Sequence, residues 1–483
     1  MPDGGGGLCL TMKEIRAREY LLKTREDMGV VSPLKYSVPE AALTRCLREL
    51  PHYVVLRNEE DLFGNFQRGG DIDLLVADLR VAERTLIRHL GVPIRIIRSS
   101  YVSGYSYDWG HVDLLPTVEW RGACYLPTEA VLAGRRLSPR GRSVPRIAHE
   151  ALISWLSSLL WGGFFKARYA AKIRQAVESD GIGFQQTLIE VAGKKLGLRL
   201  WEAAVNDHAE ISAGWTRSMR RAVWWRACFR SPVRTIQRSV GFVIGELRLR
   251  FQPPVPWVAI IRPDGSGDSS LANEIVHRFA GCPYGSVQMV HWRPRLMARG
   301  HGDEPVIDRH ERPGRGRIGS GWRLMVLAAD WLVCYWAGWA RLRAKGYILA
   351  LDRTYFDVAA DHARGLGGVG WVARVLAWLL PKPDFVFVVD SERDVSWQRT
   401  HEVPPAELAR QLPAGHVIDG SLSLNAAVDE IQRVIRAWML NRSAVSLGEQ
   451  ASRVTAPTAS TVGSSGTPTS VSRGDSARVT RTP

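Results

Sequence analysis

The chain has 483 residues, 45% of them hydrophobic and 23% charged, values that exclude a fibrous or wholly disordered protein and leave room for two or three domains. Its 64 Lys plus Arg against 48 Asp plus Glu leave a net charge of +16, which favours anionic partners without selecting one. Six widely separated cysteines without a C-x-x-C pair speak against a disulfide framework or a zinc ribbon, and the start, Met1-Pro2-Asp3 followed by glycines, lacks the apolar core of a signal peptide. A reducing, cytoplasmic setting is expected.

In chain order, residues 1–40 read as a charged, helix-compatible lead-in. Residues 41–135 carry short β-type runs at Tyr53–Leu56, Ile72–Val76, Pro93–Ile97 and His111–Leu115, with a helical pattern at Val81–Leu90 between them, and so form a small α/β domain. Residues 136–252 form a helical connector, with helical periodicity from about Ile147 to Arg250. After the breaker Gln252-Pro253-Pro254, residues 253–442 form a second α/β domain. Its runs Trp257–Ile261, Tyr347–Leu351 and Phe385–Val389 are continuously apolar, as strands of a parallel sheet covered by helices on both faces must be. Leu324–Ala340 has Asp330 as its only charge; at this length and with a central carboxylate it reads as a buried helix rather than a membrane span. Residues 443–483, rich in Ser, Thr, Gly and Pro, are expected to be disordered.

In the first α/β domain, Asp71 and Asp73 are two apart on one strand and therefore project to the same side. Asp113, on a neighbouring strand, completes a set of hard oxygen ligands suited to Mg²⁺. The alternative is a solvated strand edge. The pattern resembles the nucleotidyltransferase superfamily, in which a small-residue pair precedes Asp-x-Asp by about ten residues. Here Arg57-Asn58 stands in place of that pair, and such bulk would crowd a triphosphate.

The second α/β domain contains strand Trp257–Ile261, a glycine-rich turn and a helix, the context in which backbone N–H groups and a helix N-terminus cradle phosphate. Set against G-x-x-x-x-G-K-[ST], the loop runs from Arg262 to Ser269. Gly267 and Ser269 match, Arg262 replaces the first glycine, and Asp268 replaces the lysine. A carboxylate in place of that ammonium reverses an interaction of roughly 4 kcal/mol at 4 Å and an effective dielectric near 20. The alternative is a strand–turn–helix junction without a nucleotide.

Pro263–Ser270, Gly346–Asp357 with its Asp352-Arg353-Thr-Tyr, and Pro383–Asp390 followed by Arg393 and Arg399 together resemble the thymidylate kinase family over about residues 255–440. His291–Pro294 is similar to a segment of kinase-like proteins from bacterial polysaccharide gene clusters. The resemblance implies a P-loop kinase-like domain that binds ATP and Mg²⁺ through Asp264, Gly265, Gly267, Asp268, Ser269 and Ser270. It further implies that Asp352 organises metal-bound water, Arg353 holds the phosphate of a phosphorylated small-molecule acceptor, and Arg399 stabilises the transferring phosphoryl group. Because the lysine is replaced, catalysis is expected to be weakened or lost, and a nucleotide-sensing pseudoenzyme is the competing reading. Asp352-Arg353 also reads as an ion pair at a strand end, and Arg393 and Arg399 as solvated helix residues.

Between residues 216 and 250 stand nine arginines, one acid (Glu246), and Trp224 and Trp225. This stretch suits an anionic membrane surface or nucleic acid, or else a helix pair with solvated arginines and inward tryptophans.

Overall fold

The computed structural model describes residues 39–57, 59, 71–261, 270–290, 317–351, 355, 370–390, 415–419 and 422–455. They show an α/β fold with one mixed and one wholly parallel sheet. Residues 1–443 form one compact unit and 444–483 a second.

The mixed sheet comes first. After helix α1 (Glu40–Glu49), strands β1 (Tyr53–Arg57) and β2 (Asp71–Val76) pair antiparallel. Helix α2 (Leu79–Leu90) follows, its first turn closed by the Asp78 carboxylate accepting from Arg80 N and Val81 N. Strands β3 (Arg95–Arg98), β4 (Ser103–Ser106) and β5 (His111–Leu115) complete the order β1-β2-β5-β4-β3, with β2 and β5 parallel. Ile72, Leu74 and Val76 pack with Leu43, Leu47, Ala82 and Leu86, so α1 and α2 cover one face. Val54, Leu56 and Leu75 pack on the other with Leu152 and Leu156 of α4 (Ile147–Ser157), which lies beyond the hairpin β6 (Val118–Trp120)–β7 (Ala123–Leu126), the short helix α3 (Thr128–Ala133) and the two-residue strands β8 (Arg136–Leu137) and β9 (Ser143–Val144). β4 and the β6–β7 hairpin escape sequence patterning, because Ser-Gly-Tyr-Ser and a three-residue strand carry little alternation.

From Ile147 the connector is helical, as its periodicity predicts, in α4, α5 (Ala170–Ala192), α6 (Lys194–Val205), α7 (Thr216–Arg230) and α8 (Pro232–Phe251), whereas β8 and β9 at its start are a short strand pair. Trp155 is fully buried at its centre and donates from Nε1 to Ser212 Oγ at 2.9 Å.

The parallel sheet contains β10 (Trp257–Ile261), β11 (Val287–Val290), β12 (Ile348–Leu351), β13 (Phe385–Asp390) and β14 (Gly415–Asp419) in the order β11-β12-β10-β13-β14. Helices cover both faces, which is why the three inner strands run continuously apolar through Trp257–Ile261, Ile348–Leu351 and Phe385–Val389. On one side Ile275 and Phe279 of α9 (Ser270–Phe279) pack with Val258, Ile260 and Phe387; Val428, Ile431 and Ile435 of α13 (Leu424–Thr455) belong to the same core. On the other, Leu324, Leu327 and Trp331 of α10 (Arg317–Cys334) pack with Trp257, Leu349 and Leu351. A π-helical turn (Tyr335–Trp339) joins α10 to α11 (Ala340–Ala344), and α12 (Gly370–Leu379) adds Leu376 to this core.

Two expectations change in detail. In Leu324–Ala340 only one face is buried: Met325, Leu332, Val333 and Trp336 are exposed, since a helix lying on a sheet can bury a single stripe. Helix α13 runs past Ser443 to Thr455, through a stretch that holds the helix formers Ala444, Leu447, Glu449, Gln450 and Ala451 and precedes the first proline of the tail at Pro457. Residues 456–483 and 1–38 lie outside the described residues. Among the described residues no helix is long and apolar enough to cross a membrane.

Candidate functional site

In the parallel sheet, β10 is central, flanked by β12 and β13. The chain leaves β10, builds β11 and β12 on one side, then crosses to build β13 and β14 on the other. A crevice at the carboxyl ends of the strands is expected where two connections diverge in this way, because neighbouring loops turn apart there. Registers Ala259↔Leu351 and Ile261↔Val388 bring the ends of β10, β12 and β13 to this edge. The residues that follow these strands in sequence are Arg262–Ser269, Asp352-Arg353 and the run containing Arg393 and Arg399. Asp264, Gly265, Gly267, Asp268, Ser269, Asp352, Arg353, Arg393 and Arg399 all lie outside the described residues, as does His291–Pro294. Ser270 begins α9.

The first α/β domain carries its acids in full view. The β2–β5 register sets Asp71 opposite His111 and Asp73 opposite Asp113. Asp71 is exposed, Asp113 half-buried and Asp73 only 2% exposed. A β-bulge in β1 decides the chemistry. Val55 opposes Leu74, and the next partner pair is Arg57 with Asp73, so two residues of β1 span one step of β2. The bulge puts Arg57, rather than Leu56, across from the buried acid. Its Nε and Nη2 both reach Asp73 Oδ2, at 2.7 and 2.6 Å.

Burial alone would lower the Arg57 pKa, but Asp73, Tyr169 and Asp71 carry it above its ordinary value. Asp73 responds to the same forces in reverse. Burial pushes its carboxyl up, Arg57 pulls it down, and the charges of Asp113 and Asp71 push it up again, to about 6.

Asp113 has a different partner. His111 Nε2 is 2.9 Å from Asp113 Oδ1, and its Nδ1 is 2.8 Å from Ser106 Oγ. Arg95 Nε donates to the same Ser106 oxygen at 3.2 Å. An ionised carboxylate only accepts, so the Nε2 proton is directed at Asp113, and in the neutral ring Nδ1 accepts from the Ser106 hydroxyl, which itself accepts from Arg95 Nε on a lone pair. Gly104 makes room for this arrangement: a Cβ there would lie 2.8 Å from both Asp113 Oδ1 and His111 Nε2.

Arg95 also ties the two sheets together. Its Nη1 donates to Gly346 O at 3.1 Å and its Nη2 to Pro283 O at 3.2 Å. Burial lowers its pKa to about 10. Gly346 and Pro283 precede β12 and β11, so this contact is made at the amino-terminal edge of the parallel sheet, opposite the edge where β10 ends.

Among the described residues no group of three or more His, Cys, Asp or Glu side chains is placed to hold a metal ion. The cause is visible at Asp71, Asp73 and Asp113: the guanidinium of Arg57 supplies the positive charge that a divalent cation would bring, and His111 engages Asp113. Arranged in this way, the three acids do not fit Mg²⁺. Sequence reading finds the acids and the anomalous Arg57 but misses the pairing, and it misses His111 although His111 and Asp113 are two apart on one strand.

The basic stretch is divided. Arg220 Nε donates to Leu160 O, Arg226 and Arg230 both donate to Glu190 O, and Arg238 lies 3.9 Å from Glu119. Arg217, Arg221, Arg234 and Arg248 are exposed; Trp224 is half-buried and Trp225 exposed.

No protein-family model matches the chain, and no curated protein matches it in sequence.

Proposed function

We propose that this chain is a nucleotide-binding protein of phosphotransferase type, resembling thymidylate kinases, with a nucleotide held where β10 ends in the parallel sheet. The observation that carries this reading is the strand order β11-β12-β10-β13-β14: the glycine-rich sequence Arg262–Ser269 follows the central strand, at the point where the chain's crossovers diverge. By resemblance Ser269 would hold Mg²⁺, Asp352 would organise metal-bound water, Arg353 would hold the acceptor phosphate and Arg399 would stabilise the transferring phosphoryl group. Phosphoryl transfer asks of such residues position and charge rather than a covalent bond. Asp268 opposes the triphosphate and weakens donor binding. A role beside bacterial polysaccharide synthesis follows from the resemblance of His291–Pro294.

The test is a calorimetric titration of the full chain with MgATP. Asp268→Lys should tighten binding; unchanged affinity would mean that this loop is not a triphosphate site.

A second reading, a nucleotide-sensing pseudoenzyme, is favoured by the Arg57–Asp73 pair, which leaves no free carboxylate cage among the described residues of the first domain. Under it, Asp71→Asn leaves Mg²⁺-dependent nucleotide binding unaltered. An active metal-dependent nucleotidyltransferase would instead lose that binding.

A further inference from the structure

Helix α8 is built inside out. Val233, Ile236, Val240, Val243, Ile244, Leu247 and Phe251 form a single stripe, about 100° wide at 100° per residue and about 27 Å long. An amphipathic helix ordinarily turns such a stripe to the core. Here every one of these side chains is between 45% and 66% exposed, and Thr235 is the helix's only buried residue. The inward side carries Thr235, Ser239 and Phe242, whose ring lies 5.8 Å from that of Tyr101 and 6.2 Å from that of Trp161. Ser239 Oγ donates to Arg121 O, and a Cβ on Gly122 would lie 2.3 Å from Ser239 N.

Two more helices repeat the pattern. On α10 and its π-helical continuation, Ile318, Trp322, Met325, Leu332, Val333 and Trp336 share one face and are exposed, Ile318 at 90%. On α12, Trp371, Val375, Trp378 and Leu379 are exposed. Phe251, at the end of the α8 stripe, packs on Trp336 with ring centroids 5.0 Å apart, which joins the first two stripes. Helix α12 packs against α10. Monomeric soluble proteins rarely leave this much contiguous apolar surface uncovered.

We infer that this surface docks in the plane of a bilayer carrying anionic lipid, the apolar stripes entering the headgroup boundary and the arginines of α7 and α8 meeting the phosphates. Charge decides the occupant. Residues 216–250 hold nine arginines and one acid, Glu246; Arg217, Arg221, Arg234 and Arg248 are exposed, and Arg248 and Arg250 fall on opposite flanks of the α8 stripe by helical phase. A second copy related by a two-fold axis would set this basic patch against itself. A polynucleotide would satisfy the arginines and leave the aliphatic stripe in water. An anionic bilayer satisfies both, and tryptophans such as Trp322, Trp336, Trp371 and Trp378 suit its interfacial depth. This inference is independent of the nucleotide reading.

The test is co-sedimentation of the full chain with phosphatidylcholine vesicles, with and without phosphatidylglycerol. A second measurement, quenching of the wild-type tryptophan fluorescence by brominated phosphatidylcholine in the mixed vesicles, requires no variant. The wild type should pellet with the anionic vesicles and be quenched. The exposed pair Val240→Asp with Ile244→Asp should weaken that binding by about a hundredfold. Arg248→Gln with Arg250→Gln should weaken it by about thirtyfold, and only on the anionic vesicles. The inference is overturned if the wild type stays in the supernatant with both vesicles, or if the aspartate pair binds as well as the wild type. It is equally overturned if sedimentation velocity shows a wild-type dimer that the aspartate pair dissociates while neither protein binds vesicles.

Discussion

Arg57 stands directly across the β1–β2 ladder from Asp73 only because β1 carries one extra residue at Leu56, and through that bulge it grips the buried carboxylate with two nitrogens. Without the extra residue a leucine would face the acid, and the charge of Asp73 would have no guanidinium beside it.

Removing this guanidinium tests the pair. Arg57→Ala should destabilise the protein by about 3 kcal/mol at pH 8, because it leaves an uncompensated buried charge. The folded-state pKa of Asp73, already raised to about 6, then rises further. A raised carboxyl pKa contributes stability in the protonated form and loses it as pH rises through the folded value. The penalty should therefore shrink below about pH 5. Urea denaturation at both pH values measures it; an equal loss at each would show that charge at Asp73 is not the cause.

Gly104 supplies the bare backbone over which the His111–Asp113 pair fits. Gly104→Ala puts a methyl group 2.8 Å from both partners, and neither is the free end of a long flexible chain. A loss of about 2 kcal/mol is expected, read as a lower melting temperature. A variant as stable as the wild type would mean that the pair moves aside without cost.

His149 is 4% exposed, and burial, helped by the charge of Arg146, lowers its pKa from 6.5 to about 4. A base with a depressed folded pKa stabilises above its unfolded value and loses that contribution as pH falls from about 6.5 toward 4. His149→Gln should remove about 2 kcal/mol of acid sensitivity across this window, allowing for solvent screening. Chemical denaturation of both proteins at pH 4.5 and 7.5 checks the sign; parallel profiles would exclude His149 as the titrating group.

Arg95 satisfies two backbone carbonyls at the base of the parallel sheet and one hydroxyl in the mixed sheet. Arg95→Met keeps the aliphatic stem and removes every donor, at a cost of about 3 kcal/mol. The loss should appear as faster amide exchange at Ile348, whose N–H donates to Ser286 O beside the contact. Faster exchange confined to β3 would mean that Arg95 serves its own sheet alone.

The segments read as strands at Trp257–Ile261 and His111–Leu115 are strands, and the long connector is helical, because runs of branched apolar residues and a 3.6-residue period are local properties of the chain. β11 and β14 are not legible in the sequence: Val-Gln-Met-Val and Gly-His-Val-Ile-Asp gain their sheet partners only from segments far away in sequence. Spacing alone marks the three acids. It does not mark their partners, since Arg57 reaches Asp73 by a bulge and His111 is held by Ser106 on β4, which in turn accepts from Arg95 on β3.

The sequence by itself determined the α/β class, the order of its regions, and the carboxylates and arginines on which any chemistry must draw, since periodicity and residue type are written along the chain. Tertiary structure decided which charge meets which, and which apolar stripe is covered. α8 shows the division most clearly: its pattern reads as an ordinary amphipathic helix from sequence, and only packing shows that the stripe faces outward. The spacing of apolar residues picks out one side of a helix; whether the core lies on that side is settled by the rest of the fold.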